Sequence, residues 1–317
     1  MFVGIDVGAK HLDVATTTTA LALPRRVANT AAGIATLSAV LREVAPELVA
    51  LEATGNDHRP LLAALLGAGL PVTVVSPAAV AAFRQSRLGR HQTDRADAAL
   101  LARFAALHHD ELRRAAPDEP ELAQLRALVG YRDDLVARQT RLRNQRHAAE
   151  WAGVETVVAW LRVDLEELDA RLQAVERAIR ALLATRPETA LLTAQAGVGL
   201  LVAAAVLAYL PAGVLGNPKA AAAYAGLHPR QEQSGQHDHS RLSKQGCPAV
   251  RRYLYLAALA AIRADPELAA WYQRLRARGK AAKSAVCAVA HKLLRRLMGR
   301  IRAVRQQQPV LLPGLAA

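Results

Sequence analysis

The sequence predicts an α/β domain at the N-terminus, a pair of long central helices and an all-helical C-terminal domain. Three observations carry that expectation. Short apolar runs alternate with helical apolar spacing over the first 110 residues; leucines recur at steps of four and three between 161 and 182; and Ala-rich helical sequence resumes after 190. At 317 residues the chain also exceeds the usual size of a single core. The expected boundaries are 1–115 for the α/β domain, 116–188 for the coiled or hairpin-forming helices, 189–305 for the C-terminal domain and 306–317 for a loosely ordered tail.

Residues 1–8 read as a strand, and 11–18 as a second strand after the Gly8-Ala9-Lys10 turn, with a third at 25–28. Helical spacing over 31–44 ends before Pro46. A short buried strand at 47–51, a helix at 58–66 closed by Gly67 and Gly69, a strand at 71–75 and a helix opening at Pro77 complete an alternation that argues for a sheet with crossovers. A further helix over 92–107 carries Asp94 and Asp97 near its start, where acids suit the helix dipole. Ala116-Pro117-Asp118-Glu119-Pro120 punctuates the chain before helices at 121–150 and 156–184. In the second of these, Leu161, Leu165, Leu168, Leu172, Val175, Ile179 and Leu182 form an a/d seam, fit for a hairpin, a bundle layer or a dimerising coiled coil. Helical sequence from 191 to 304 is broken by a Gly- and polar-rich stretch at 226–246.

Charge narrows the function. The net surplus of +14 lies wholly in residues 191–317, which hold 18 Lys and Arg against four Asp and Glu. A basic C-terminal part beside an acid-bearing N-terminal one points to a polyanion, nucleic acid first. Residues 189–218 carry no charge and could span a bilayer by length, but Gly197, Gly199, Pro211, Gly213 and Gly216 argue for a buried helix pair and no membrane. Cys247 and Cys287 have no metal-site or disulfide spacing, and with no signal peptide the reducing cytoplasm of a prokaryote, near its nucleoid, is the expected location.

The chemistry is carried by carboxylates. Asp6 ends the run Phe2-Val3-Gly4-Ile5-Asp6 and Glu52 ends Leu48-Val49-Ala50-Leu51-Glu52, while Asp94 and Asp97 share one helix face at i, i+3. An ordered set of strand acid, strand acid and two helix acids is what ribonuclease-H-like nucleases use. Four carboxylates without a His or Cys cluster suit hard divalent cations, Mg²⁺ above all and two ions in number, for in-line displacement at phosphorus. In the polar stretch, Ser234, Ser240 and Ser243 are each candidate nucleophiles; Gly235, Arg230 and Arg241 favour Ser234, by letting a phosphate approach and neutralising it. Gly197 and Gly199 in Ala196-Gly197-Val198-Gly199 fit either a phosphate-holding turn between helices or a plain tight turn. Lys244, Arg251 and Arg252 add candidate phosphate contacts.

Several of these segments together resemble one family. Gly4-Ile5-Asp6-Val7-Gly8, Leu51-Glu52-Ala53-Thr54-Gly55, Val75-Ser76-Pro77 and Thr93-Asp94-Arg95-Ala96-Asp97 resemble the catalytic half of the DEDD transposases of the IS110 insertion-sequence family, which includes the Piv-type DNA invertases. The stretches from Ala196, from Ala222 through Ser234-Gly235, and from Leu242 through Ala260 resemble that family's C-terminal domain. The resemblance implies a RuvC-like domain with Asp6, Glu52, Asp94 and Asp97 as the metal-binding acids. It implies Ser234 as a nucleophile forming a covalent phosphoserine, donor and target DNA as substrates, a structured guide RNA, and a homo-oligomer, dimer or tetramer. His91 where Lys is common, and the short His237- and His239-bearing stretch after Ser234, depart from the family pattern. A site-specific invertase, a junction nuclease without a serine intermediate and a non-catalytic nucleic-acid-binding module are the alternatives.

Overall fold

The computed structural model describes residues 1–18, 23–52, 57–86, 94–117, 119–211, 213–234, 237–243 and 246–307; for Asp94, Arg95, 229–234, 237–241, Arg305 and Gln307 it describes the backbone. The chain forms two compact units, Met1–Asp118 and Glu119–Ala317.

In the first unit, β1 (Phe2–Val7), β2 (His11–Thr16) and β3 (Arg26–Ala28) form an antiparallel meander, closed by the Gly8 amide donating to the His11 carbonyl. Helix α1 (Ala31–Val44) crosses over to β4 (Leu48–Glu52), and α2 (His58–Gly67) to β5 (Val72–Val75). Both crossovers make the added strands parallel, as helical connections do, giving the order β3-β2-β1-β4-β5. Thr30 caps α1 by accepting from the Gly33 amide, and α1 ends at Ala45 in the left-handed region just before Pro46.

Alternation along the strands separates two buried faces. Val3, Ile5, Val7, Val49 and Leu51 pack against Leu37 and Leu41 of α1 and Leu61 and Leu65 of α2. Leu48, Ala50 and Val75 face the other way, toward α3 (Pro77–Gln85) and α4 (Asp94–His108), where Val80, Leu101 and Ala105 complete a second core.

The second unit opens with α5 (Pro120–Trp151) and α6 (Glu155–Ala184), joined through Gly153 in the left-handed region. At 32 and 30 residues each runs about 45 Å. The seam on α6 is buried at Leu161, Leu165, Leu168, Leu172, Val175 and Ile179, as its spacing predicts, but the last step falls on Leu183 rather than Leu182. A straight helix drifts against a strict heptad, so the buried stripe moves on by one residue. Leu183 then joins the core shared with α7 (Pro187–Thr193) and α8 (Leu200–Tyr209).

Helix α8 is the uncharged segment's core piece, buried at every residue from Ala203 to Ala208. At ten residues it is too short for a bilayer, and among the described residues no helix is long and apolar enough to cross one. After α9 (Pro218–Tyr224) the chain does not stay helical. The polar stretch expected as a mere break forms a hairpin, β6 (Pro229–Ser234) and β7 (His237–Leu242), with Ser234 level with His237. The expectation of an all-helical C-terminal domain is corrected here: these strands are polar on both faces, so the apolar alternation that marks a strand is absent. Helices α10 (Pro248–Ala264), α11 (Pro266–Ala277) and α12 (Ala282–Gln307) close the unit. Residues 308–317, most of the expected tail, lie outside the described residues.

The α6 seam therefore changes character along its length, and its lower half belongs to the unit's main core. Ile179→Ala, at a side chain 1 % exposed, is expected to cost about 2–5 kcal/mol, whereas Val163→Ala, 55 % exposed, should stay within about 0.5 kcal/mol. Chemical denaturation of the two variants against the parent measures the contrast.

Candidate active site

Two strand ends and one helix start create the site in the first unit. Ile5 pairs with Leu51 across the parallel β1–β4 ladder, so Asp6 and Glu52 come next at the same end of neighbouring strands, about 4.8 Å apart in the ladder direction. Asp6 shares its sheet face with Gly4, and Glu52 with Ala50, which is the face that α4 covers.

Gly4 sets how closely α4 comes down. A Cβ there would lie 2.2 Å from the Ala98 carbonyl oxygen and 2.3 Å from the Ala102 amide nitrogen. Phe2 meets His109 at the far end of the helix, ring centroids 5.3 Å apart. Helix α4 thus runs antiparallel to β1, and its first turn sits at the Asp6 end. Ala98, Leu101, Ala102 and Ala105 form its buried stripe; Asp94 and Asp97 lie four residues before Ala98 and Leu101. The side chain of Asp94 lies outside the described residues.

Glu52 lies within electrostatic reach of both Arg84 and Asp97. Burial pushes the Glu52 carboxyl above the usual Glu range; Arg84 pulls it down, and the negative charge of Asp97 pushes it further up. Arg84, in the last turn of α3, places Nη2 2.8 Å from Asp97 Oδ1. Among the described residues no three His, Cys, Asp or Glu side chains stand together at ligand spacing. The donor chemistry is nonetheless that of a hard-cation site: Glu52 and Asp97 offer carboxylate oxygens, and burial together with the charge of Asp97 disfavours the ionised form of Glu52, which a cation would favour.

Asp13 is a further acid that the sequence reading assigned no role. It stands directly opposite Asp6 across the β1–β2 ladder, almost fully buried, and Arg26 donates to both its oxygens, Nε to Oδ1 and Nη2 to Oδ2, each at 3.0 Å. The bidentate pair neutralises it. Its signal was the spacing Asp6…Asp13 across a three-residue turn, which places the two acids in register.

In the second unit Ser234 ends β6, five residues beyond Pro229 and so about 17 Å along the ribbon from its base. Ser240 pairs with Gln231 within the hairpin, and the Ser243 amide, just past it, donates to the His228 carbonyl. Arg230 and Arg241 are directly opposed in the register. Gly235 and Lys244 lie outside the described residues. Arg251 Nη1 donates to the Ala225 carbonyl at 3.3 Å, while Arg252 pairs with Asp133 and lies 5.0 Å over the Tyr253 ring. Tyr253 donates to Asp133 at 2.7 Å, and burial with that carboxylate pushes its hydroxyl up to about 12. The two glycines of the turn differ. Gly197, at φ +85°, packs on the backbone of α10, where a Cβ would meet Ala261 N at 2.5 Å; Gly199 caps α8 in open space.

Two transposase profiles match the chain. The chain belongs to the IS110-type transposase family: the DEDD transposase profile of that type matches residues 3–149, and the profile of the IS116/IS110/IS902 transposase family matches residues 189–273. Its relatives include an uncharacterized 43.6 kDa protein of insertion element IS110 from Streptomyces coelicolor, 34 % identical over 152 residues. That match covers 47 % of this chain and 37 % of the relative. The pilin gene-inverting proteins of Moraxella bovis and Moraxella lacunata are each 26 % identical over 252 residues, covering 77 % of this chain and 76 % of theirs.

A raised carboxyl in the folded state makes the ionised form costly: the cost is absent below the ordinary Glu range, about 4.3, and complete above the raised value. Glu52→Gln is therefore expected to stabilise the metal-free protein at pH 7 and to leave stability unchanged near pH 4. Urea unfolding at the two pH values in the presence of a chelator gives the comparison.

Proposed function

We propose that the chain is a DNA transposase that cuts and exchanges strands with the acids Asp6, Glu52, Asp94 and Asp97 and the hydroxyl of Ser234. The observation that carries this is the convergence, at one sheet end, of the Asp6 and Glu52 strand termini with the first turn of α4. Asp6, Glu52, Asp94 and Asp97 would hold a divalent cation, Mg²⁺ by the hardness of the ligands, and it would supply charge stabilisation at a scissile phosphate. Ser234 Oγ attacks phosphorus in line and the deoxyribose oxygen leaves; the serine proton passes to a carboxylate, and the new Ser–O–P link is a phosphodiester. One ester replaces another, so a second strand's hydroxyl can reverse the exchange without an outside energy source.

The hairpin sets Ser234 level with His237 at the end of β6, and sets Arg230 opposite Arg241 toward its base, where both are candidate phosphate contacts. Choice of donor and target DNA by a structured RNA follows from the family resemblance. Assembly into a dimer or tetramer is favoured by the far end of the α5–α6 hairpin, where Trp151 and Trp160 are 84 % and 65 % exposed and Val154 and Val163 stand beside them. A RuvC-like reading of the first unit agrees with its strand order and with the positions of its acids. A second reading, site-specific inversion, is favoured by the longer alignment with the pilin gene-inverting proteins.

Incubated with labelled target DNA, Mg²⁺ and the element's RNA, the protein is expected to give a covalently shifted band on a denaturing gel. Ser234→Ala should lose that band completely, and Ser240→Ala and Ser243→Ala should keep it. Free cleaved ends from the parent protein would replace the serine mechanism with hydrolysis.

The C-terminal surplus of charge makes a second expectation. Affinity for DNA or RNA should fall steeply with salt, about 10³-fold between 50 and 200 mM if some six phosphates are neutralised. A filter-binding titration that gave a flat salt dependence would remove the electrostatic account.

A further inference from the structure

We propose that Arg84 is a built-in counter-cation of the acid cluster, holding Asp97 in the metal-free protein and yielding it when a divalent ion binds. The inference rests on reading the acids as a metal site and goes beyond it, since it concerns a residue outside the acid set. Phe83 lies edge-on to Phe104 with centroids 5.3 Å apart, and against His108 at 6.1 Å, which pins the last turn of α3 to α4. The next residue, Arg84, reaches Asp97 from that fixed turn at 2.8 Å. The two side chains are 29 % and 24 % exposed, so solvent and salt screen the pair less than a surface one. Glu52 also lies within the field of both.

A guanidinium stays charged at any physiological pH, so Arg84 leaves Asp97 by moving and not by losing a proton. A hard cation bonds a carboxylate oxygen at about 2.0–2.1 Å, and that oxygen cannot keep a guanidinium hydrogen bond in the same direction. Metal and Arg84 therefore compete for Asp97 Oδ1. The contact lowers metal affinity by the factor by which it favours the closed pair, about three- to tenfold for a partly buried charge-assisted hydrogen bond. The same contact relieves the repulsion between Asp97 and Glu52 when no metal is present, so the cluster folds without its cation.

The test is isothermal titration of the full chain, stripped of metal and free of nucleic acid, with Mn²⁺ and with Mg²⁺. Arg84→Gln is expected to bind about three- to tenfold more tightly than the parent. Arg84→Lys should fall between them, and Arg103→Gln, which removes an exposed charge elsewhere on α4, should change little. In chelator, Arg84→Gln should lower the unfolding midpoint of the parent but not of an Asp97→Asn protein. If Arg84→Gln binds ions no more tightly than Arg103→Gln does, the counter-cation role is overturned while the metal site stands. If neither parent nor Arg84→Gln takes up any divalent ion, the metal reading of the acids falls and this inference falls with it.

Discussion

The first unit depends on one close approach, backbone to backbone, between β1 and α4 at Gly4. Every other residue type would put a Cβ into the Ala98 carbonyl and the Ala102 amide. The helix would have to lift, and lifting it moves the first turn of α4 away from the ends of β1 and β4. The small side chains of Ala98, Ala102 and Ala105 on the helix serve the same approach, since bulk at any of them would reopen the gap. The end of β1 and the first turn of α4 come together because the positions behind them have almost no side chain.

That arrangement sets stability against function. Asp6 and Glu52 at adjacent strand ends, with Asp97 above them, concentrate negative charge where burial already disfavours it. The fold compensates with cations from outside the acid set. Arg26 neutralises Asp13 across from Asp6, and Arg84 neutralises Asp97 beside Glu52. The two differ in kind. Asp13 is nearly buried and held by both its oxygens, whereas Asp97 is held through one oxygen by an arginine about as exposed as itself. The first pair behaves as part of the sheet; the second is the one a competing cation can open.

How much of this the sequence disclosed depends on the range of each interaction. The strands and their acidic ends were legible because an apolar run that stops at a carboxylate is a local signal, and the i, i+3 spacing of Asp94 and Asp97 is another. Arg84 was not legible: its partner lies thirteen positions away on another helix, and the stretch between them carries three other cations, Arg87, Arg90 and Arg95. The β6–β7 hairpin was missed because its strands are polar on both faces, so no apolar alternation marks them. Leu182 for Leu183 was an error of period, not of element. Gly197 shows a tertiary demand behind a local signal: its turn fits a phosphate-holding loop or a plain tight turn, and the backbone of α10 requires the glycine in either case.

The same test of local against tertiary demand applies to the basic C-terminal unit. Its surplus charge is real, but part of it is committed within the fold. Arg252 is held by Asp133, Arg251 caps the end of α9, and Arg296 bridges Asp265 and Glu267, which also binds Lys292. The four acids of residues 191–317 include Asp265 and Glu267, so half of the segment's negative charge is used at one corner between α10, α11 and α12. The cations left over gather elsewhere: Arg274, Arg278, Lys280 and Lys283 are exposed around the α11–α12 turn, with no acid between 268 and 317. That turn is therefore a stretch of exposed cations with no acid among them, while Arg251 and Arg252 are held by the Ala225 carbonyl and by Asp133.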